Sequence, residues 1–311
     1  MNGTQQYLIE EELEHYRDGW IGRREFLRRA ALLGAAAATA AALAQSVTAR
    51  PARAAPAAQA SPFQVLEGDP AVATDWTWYR STDGVMVKAY LAWPAAAGAM
   101  NMSLPGAAVC HENRGLTPHI RDVARRFASQ GYVAIAPDLP SRTGTPTDEL
   151  GSDEAIMAAF RTLTPAQNAL DFAAALDFLR NHPAVDESKL AATGYCFGGG
   201  VIWRLATVYP DLTAAAPFYG SAPPLEDVPK IRAAMLGVFA SSDERINAGI
   251  PDLSRALDAA GVKHRMAVYS GSDHGFHNDT GRVYNRDIAV QAWMDTVTWF
   301  AEHLSLPAPA F

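Results

Sequence analysis

The 311-residue sequence is nearly without cysteine, with only Cys110 and Cys196. Two thiols cannot build a disulfide framework or a cysteine-rich zinc site. Positive charge is also in deficit: 26 Lys and Arg stand against 33 Asp and Glu, a net charge of −7. Sequence-independent nucleic-acid binding needs clustered cations to meet the phosphates, so the balance argues against it. Charge-free apolar sequence is scarce too. The stretch Ala30–Ala44 is short and mostly alanine, which argues against a membrane span. What is abundant is ordinary core material. With 49% hydrophobic and 19% charged residues the chain is neither disordered nor fibrous, and it is long enough for a sizeable buried core.

The N-terminus is unusual. Arg23 and Arg24 precede Phe26 and Leu27, the alanine-rich stretch follows, and Val47-Thr48-Ala49 or Ala52-Arg53-Ala54 supplies a small-residue exit. Residues 1–49 resemble a twin-arginine export signal, which implies recognition by the export machinery and a periplasmic or otherwise exported protein. The acidic lead-in of Glu10, Glu11, Glu12 and Glu14 is atypical of such a signal. The competing reading is an amphipathic helix over 7–33 that docks on the body of a cytoplasmic protein or on a partner. Residues 50–64, rich in Ala and Pro at their start, read as a linker, and 65–306 as one domain.

Within that domain, Val85, Val87, Ala89, Leu91 and Trp93 alternate with Met86, Lys88, Tyr90 and Ala92, the period of a half-buried strand. Apolar runs predict further strands at 107–110, 132–136, 189–195, 214–219, 234–240 and 264–269. Helical spacing predicts helices at 166–181, 198–209, 250–260 and 285–304, and another carrying Val123 and Phe127 before Gly131. Continuous apolar strands alternating with helices predict an α/β fold: a mostly parallel sheet, antiparallel at its first edge, with helices on both faces. In such sheets function gathers in the loops at the carboxyl ends of the strands.

Gly194-Tyr195-Cys196-Phe197-Gly198-Gly199 lies between a predicted strand and a predicted helix, as a G-x-S-x-G nucleophile elbow with cysteine for serine. A thiolate nucleophile needs a base, and the base an orienting acid. Asp243 closes the 234–240 strand and His274 follows the 264–269 strand, the order acid then histidine that α/β-hydrolases use. Asp273 and Glu244 are rival acids by proximity. His274 and His277 form an H-x-x-H pair with no third ligand evident, so no metal or other cofactor is expected. The loop Cys110-His111-Glu112-Asn113-Arg114-Gly115 occupies the place that supplies a second oxyanion donor. The backbone N–H groups of Phe197 and Asn113 are then the expected pair, with Glu112 either directed into the pocket or paired with Arg114 at the surface. Residues 141–164 fit either a flap over the site or a solvated loop.

Cys110–Gly115, Ala136-Pro137-Asp138-Leu139, Gly194–Gly199 and His274-Gly275-Phe276 together resemble the dienelactone hydrolase family, over about residues 75–305. The resemblance implies an α/β-hydrolase fold and a Cys196, Asp243 and His274 triad acting on a small, anionic ester or lactone. It implies that Glu112 partners the resting thiol. It also implies that Arg142 reads a substrate carboxylate. The family's second arginine position holds Asn278 here, with Arg282 the nearest arginine, a departure that puts dienelactone itself in doubt. A broad carboxylesterase or thioesterase, or a non-catalytic binding protein on this scaffold, are the alternatives.

Overall fold

The computed structural model describes residues 1–50, 60–98 and 102–309. Three helices come first: α1 (Gly3–Arg17), α2 (Arg23–Leu32) and α3 (Ala37–Ser46). A capping box starts α1: the Asn2 side chain accepts the Gln5 N–H, and the Gln5 side chain accepts the Asn2 N–H. The expected single helix over 7–33 is therefore two, separated by a turn at 18–22 where Gly19 has φ +75°. Leu8, Ile9, Phe26, Ala30, Leu33 and Ala40 are buried, so the segment packs as a folded layer on the body. Among the described residues no helix is long and apolar enough to cross a membrane.

The body is an eight-stranded sheet. Strands β1 (Val72–Arg80) and β2 (Met86–Pro94) form the antiparallel edge. Then follow β3 (Leu104–Cys110), α4 (Pro118–Ser129), β4 (Val133–Asp138), α5 (Asp153–Phe160), α6 (Pro165–Arg180), β5 (Val185–Tyr195), α7 (Phe197–Val208), β6 (Ala214–Phe218), β7 (Ala234–Ala240), α8 (Glu244–Asn247), α9 (Ile250–Ala259), β8 (His264–Tyr269) and α10 (Arg286–His303). The strand order is β1-β2-β4-β3-β5-β6-β7-β8, antiparallel at β1/β2 and β2/β4 and parallel beyond. This is the α/β-hydrolase architecture. Strands β3, β4, β6 and β7 are buried along their whole length, which is why they read as unbroken apolar runs. Helix α4 meets α10 through Phe127, whose ring lies 4.8 Å from that of Trp293, while α6 and α7 pack together on the sheet.

Two expectations change here. Part of the 50–64 linker, residues 51–59, lies outside the described residues, but its end is packed: the Ser61 N–H donates to Asp279 and Phe63 lies against Trp293. Residues 141–164 are not a solvated loop. The Thr147 N–H donates to Asp138 at 2.7 Å, and Phe160 at the end of α5 is fully buried.

Candidate active site

Cys196 sits at the junction of β5 and α7 with φ +58° and ψ −119°, a backbone state that non-glycine residues rarely adopt. The neighbouring glycines permit it. A Cβ on Gly194 would lie 2.4 Å from the Gly198 carbonyl oxygen, and one on Gly198 would lie 2.5 Å from the His111 carbonyl oxygen. The elbow is therefore pressed against the end of β3 with no room for side chains. The Phe197 N–H, first in α7, donates toward the Cys196 sulfur. Asn113 is buried in the loop after β3. His111, which the sequence did not single out as a positioning group, anchors that loop: its Nδ1 meets the Glu112 carbonyl at 2.7 Å and its Nε2 accepts the Leu139 N–H. Burial holds His111 neutral, with its pKa pushed down to about 4.

The loops after β7 and β8 bring the candidate base and acid together. His274 Nδ1 lies 2.5 Å from Asp243 Oδ2. Burial works against the charged forms, but the attraction between the two outweighs it, raising the histidine pKa and lowering that of the aspartate. The rival acids stand elsewhere: Asp273 accepts from Ser242 Oγ at 2.6 Å and Glu244 is exposed. His277 does not join His274 on a metal. It is buried, stacked on Tyr195 with ring centres 4.7 Å apart.

Three substrate-site expectations meet different partners. Arg142 does not present a free guanidinium; it is paired with Asp171 at 2.7 Å and with Asp83, its side chain 8% exposed. Those two acids neutralise it. Asn278 Nδ2 donates to Glu112 Oε2 at 2.5 Å, so the Glu112 carboxylate turns toward Asn278 and not toward Arg114. Arg282 is exposed, and its Nη1 reaches the Trp20 carbonyl at 3.5 Å.

The thiol's own carboxylate partner comes from a place the motifs did not indicate. Cys196 Sγ donates to Glu11 Oε1 of α1 at 2.9 Å, and the Tyr7 hydroxyl lies 3.8 Å from the same sulfur. Glu11, Cys196 and His274 offer ligand atoms all within 4.8 Å of one another, a donor set that could hold a metal ion. His274 Nε2 is buried with no hydrogen-bond partner among the described residues. The one sequence signal for this arrangement was the acidic lead-in, out of place in an export signal.

The dienelactone hydrolase family pattern matches residues 87–304, which takes in the elbow, Asp243 and His274. The chain belongs to the dienelactone hydrolase family. A protein of Saccharolobus solfataricus, named as a candidate carboxymethylenebutenolidase, is 32% identical over 250 residues, covering 69% of this chain and 93% of its own length. A relative of the same name from Salmonella typhi is 30% identical over 268 residues, 82% of this chain and 97% of its own. The crystal structure of a candidate dienelactone hydrolase from Klebsiella pneumoniae superimposes with a TM-score of 0.67 at 29% identity, over 75% of this chain and 99% of that one. An acylaminoacyl peptidase from Pyrococcus horikoshii, at 15% identity and TM-score 0.62, shares the fold alone. This dienelactone hydrolase family member is thus a hydrolase of the carboxylic-ester kind. The family match begins at residue 87, so α1, α2 and α3 lie outside it.

Proposed function

We propose that the chain cleaves an ester or lactone through a triad of Cys196, His274 and Asp243. The contact of 2.5 Å between His274 Nδ1 and Asp243, beside a cysteine held at positive φ, carries this reading. Asp243 fixes the imidazole so that Nε2 faces the thiol. His274 takes the thiol proton, the sulfur bonds to the acyl carbon, and the carbonyl electron pair moves to the oxygen. The N–H groups of Phe197 and Asn113 receive that oxyanion. Collapse expels the alkoxide, which takes the proton from His274, and a water activated by the same imidazole releases the acid. In a lactone, acid and alcohol leave as one molecule. Glu112, raised in pKa by burial and held by Asn278, lies near enough for its carboxylate form to disfavour the thiolate.

A broad carboxylesterase or thioesterase uses the same machinery, and the structure offers a reason to weigh it: Arg142 is spent on Asp171 and Asp83, which weakens the case for carboxylate recognition there. A panel of lactones, esters and thioesters assayed on wild type and Cys196→Ala tests both readings. Loss of a triad nucleophile costs on the order of 10⁴-fold or more in kcat. Unchanged turnover by the alanine variant would remove the triad and point to another nucleophile, and no turnover of any substrate by wild type would leave a binding protein.

We also propose that residues 1–49 direct export. Arg23 and Arg24 are both exposed at the start of α2, where cations oppose the helix dipole, so helix stability does not account for them. Replacing both with lysine should keep the protein out of the periplasmic fraction; undiminished export would refute the signal.

A further inference from the structure

An amphipathic surface helix ordinarily buries an apolar stripe. Helix α1 buries a second stripe of another kind. Thr4, Tyr7, Glu11 and Glu14 recur at spacings of three, four and three, one face of the helix, and that face covers the catalytic cysteine. Glu11 is 3% exposed, accepts the thiol hydrogen bond on Oε1, and leaves Oε2 with no hydrogen-bond partner among the described residues. Tyr7 leans over Phe197, ring centres 6.4 Å apart, and under the Arg245 guanidinium at 4.8 Å. Glu14 ion-pairs with Arg245 at 3.0 Å, two residues beyond the candidate acid Asp243. Along the flank, Glu12 bridges Arg29 of α2 to Arg114 of the loop that carries Asn113.

The consequence for chemistry is steric and electrostatic together. An acyl carbon must come within about 3–3.5 Å of the sulfur to be attacked, and the Glu11 carboxylate already stands 2.9 Å from it. Cys196 is 3% exposed. The thiol proton points to Glu11 while His274 Nε2 goes without a partner, so the relay that would make a thiolate is broken. Burial, and then the charges of Glu11 and Glu112, push the Cys196 pKa up, the wrong direction for a nucleophile. A partly open cavity of about 200 Å³ remains beside Phe197, lined by Gly3, Thr4 and Tyr7 of α1 and by Asn168, whose buried amide has neither its oxygen nor its nitrogen paired among the described residues. The helix thus supplies part of the wall of the room next to the elbow.

We propose that α1 is a built-in ligand of the catalytic cleft, bound through Tyr7 and Glu11, which holds the hydrolase latent until the N-terminal segment is displaced. The proposal rests on the reading of Cys196 as nucleophile, and the test separates the two. In the full-length chain, Tyr7→Ala, Glu11→Ala and the double variant are compared with wild type for the rate of Cys196 alkylation by iodoacetamide, followed by mass spectrometry of the peptide carrying it. Hydrolysis of p-nitrophenyl esters is measured on the same samples. Removing a hydrogen bond to a charged group and a covering ring should speed alkylation about tenfold or more in the double variant, with a parallel rise in kcat/KM. Alkylation that accelerates while no ester is cleaved would uphold the latency of the thiol and sink the hydrolase reading. Alkylation and turnover both unchanged, or turnover that falls in Glu11→Ala, would overturn the proposal, the second outcome making Glu11 a participant in the reaction.

Discussion

The N-terminal helices and the sheet they cover are held by different kinds of contact. Between β3, β5, β6 and α7 the packing is apolar, close and continuous: Ala107, Ala108, Leu190, Ala191, Ile202, Trp203, Ala214 and Phe218 are all without solvent exposure. The N-terminal layer buries apolar side chains of its own, Leu8, Ile9, Phe26, Ala30 and Leu33 among them, and adds ion pairs across its seam with the body: Glu12 with Arg114, Glu14 with Arg245, Arg28 with Glu154. Of these pairs Arg28–Glu154 is exposed, contributes little and is screened by salt, whereas Glu12 and Glu14 are sheltered and their pairs answer chiefly to pH. The contrast sets a framework sealed by apolar packing against a layer whose seam also depends on charge, and seams of the second kind are where local opening is expected.

The sharpest way to break this contrast is to remove one aromatic ring from each side. Phe127→Ala opens a hole between Tyr132, Trp293 and Phe300 in the framework, and such truncations cost about 3–5 kcal/mol, so cooperative unfolding should move to a much lower denaturant midpoint. Phe26→Ala removes an equally buried ring stacked on Tyr16, yet it should loosen only α1–α3. Hydrogen exchange should then rise in residues 3–46 while β3 to β7 keep their protection. Equal loss of protection in both regions would mean the cover and the framework are one cooperative unit.

A gentler probe is acid. His15, Arg114 and Arg29 overcome the burial penalty on Glu12 and hold its carboxyl at about 2, below the 4.5 of a free glutamate. The docked form therefore binds the proton less readily than the undocked one. This contribution to docking is complete above the ordinary glutamate range and is lost as pH falls from there toward 2. Glu14, raised by burial, works in the opposite sense and blunts the effect. Exchange of α1 and α2 amides, corrected for intrinsic rates, should increase between pH 5 and pH 3, and Glu12→Gln should flatten that increase. A flat profile in wild type would show that the Glu12 bridges do not hold the cover.

Much of the framework was legible in the sequence because its signals are local. The runs at 234–240 and 264–269 became β7 and β8 with those bounds, and the predicted helix at 285–304 became α10 over 286–303. The elbow was legible for the same reason: glycines two residues either side of Cys196 answer to contacts within one strand–helix turn. What failed to show was long-range pairing of charges. Arg142 meets Asp83 and Asp171, 59 and 29 residues away, and Glu11 meets Cys196 across 185 residues. No spacing rule links such positions. A carboxylate in a helix reads as a solvated face until the tertiary structure buries it, and the segment 1–49 could be read for its arginines but not for what its acids touch.

The glycine contacts at the elbow have a further consequence. Because Gly194 and Gly198 bring β5, α7 and the end of β3 into backbone contact, the main chain sets where the Cys196 Cα–Cβ bond stands, as a jig sets a workpiece, while the Glu11 and Tyr7 side chains bear on the sulfur itself. The loops at 111–117 and 270–285 carry Asn113 and His274 and are tied to that point, whereas exposed positions of the 139–164 segment can change without moving it. A relative with a different 139–164 segment should keep the same elbow geometry.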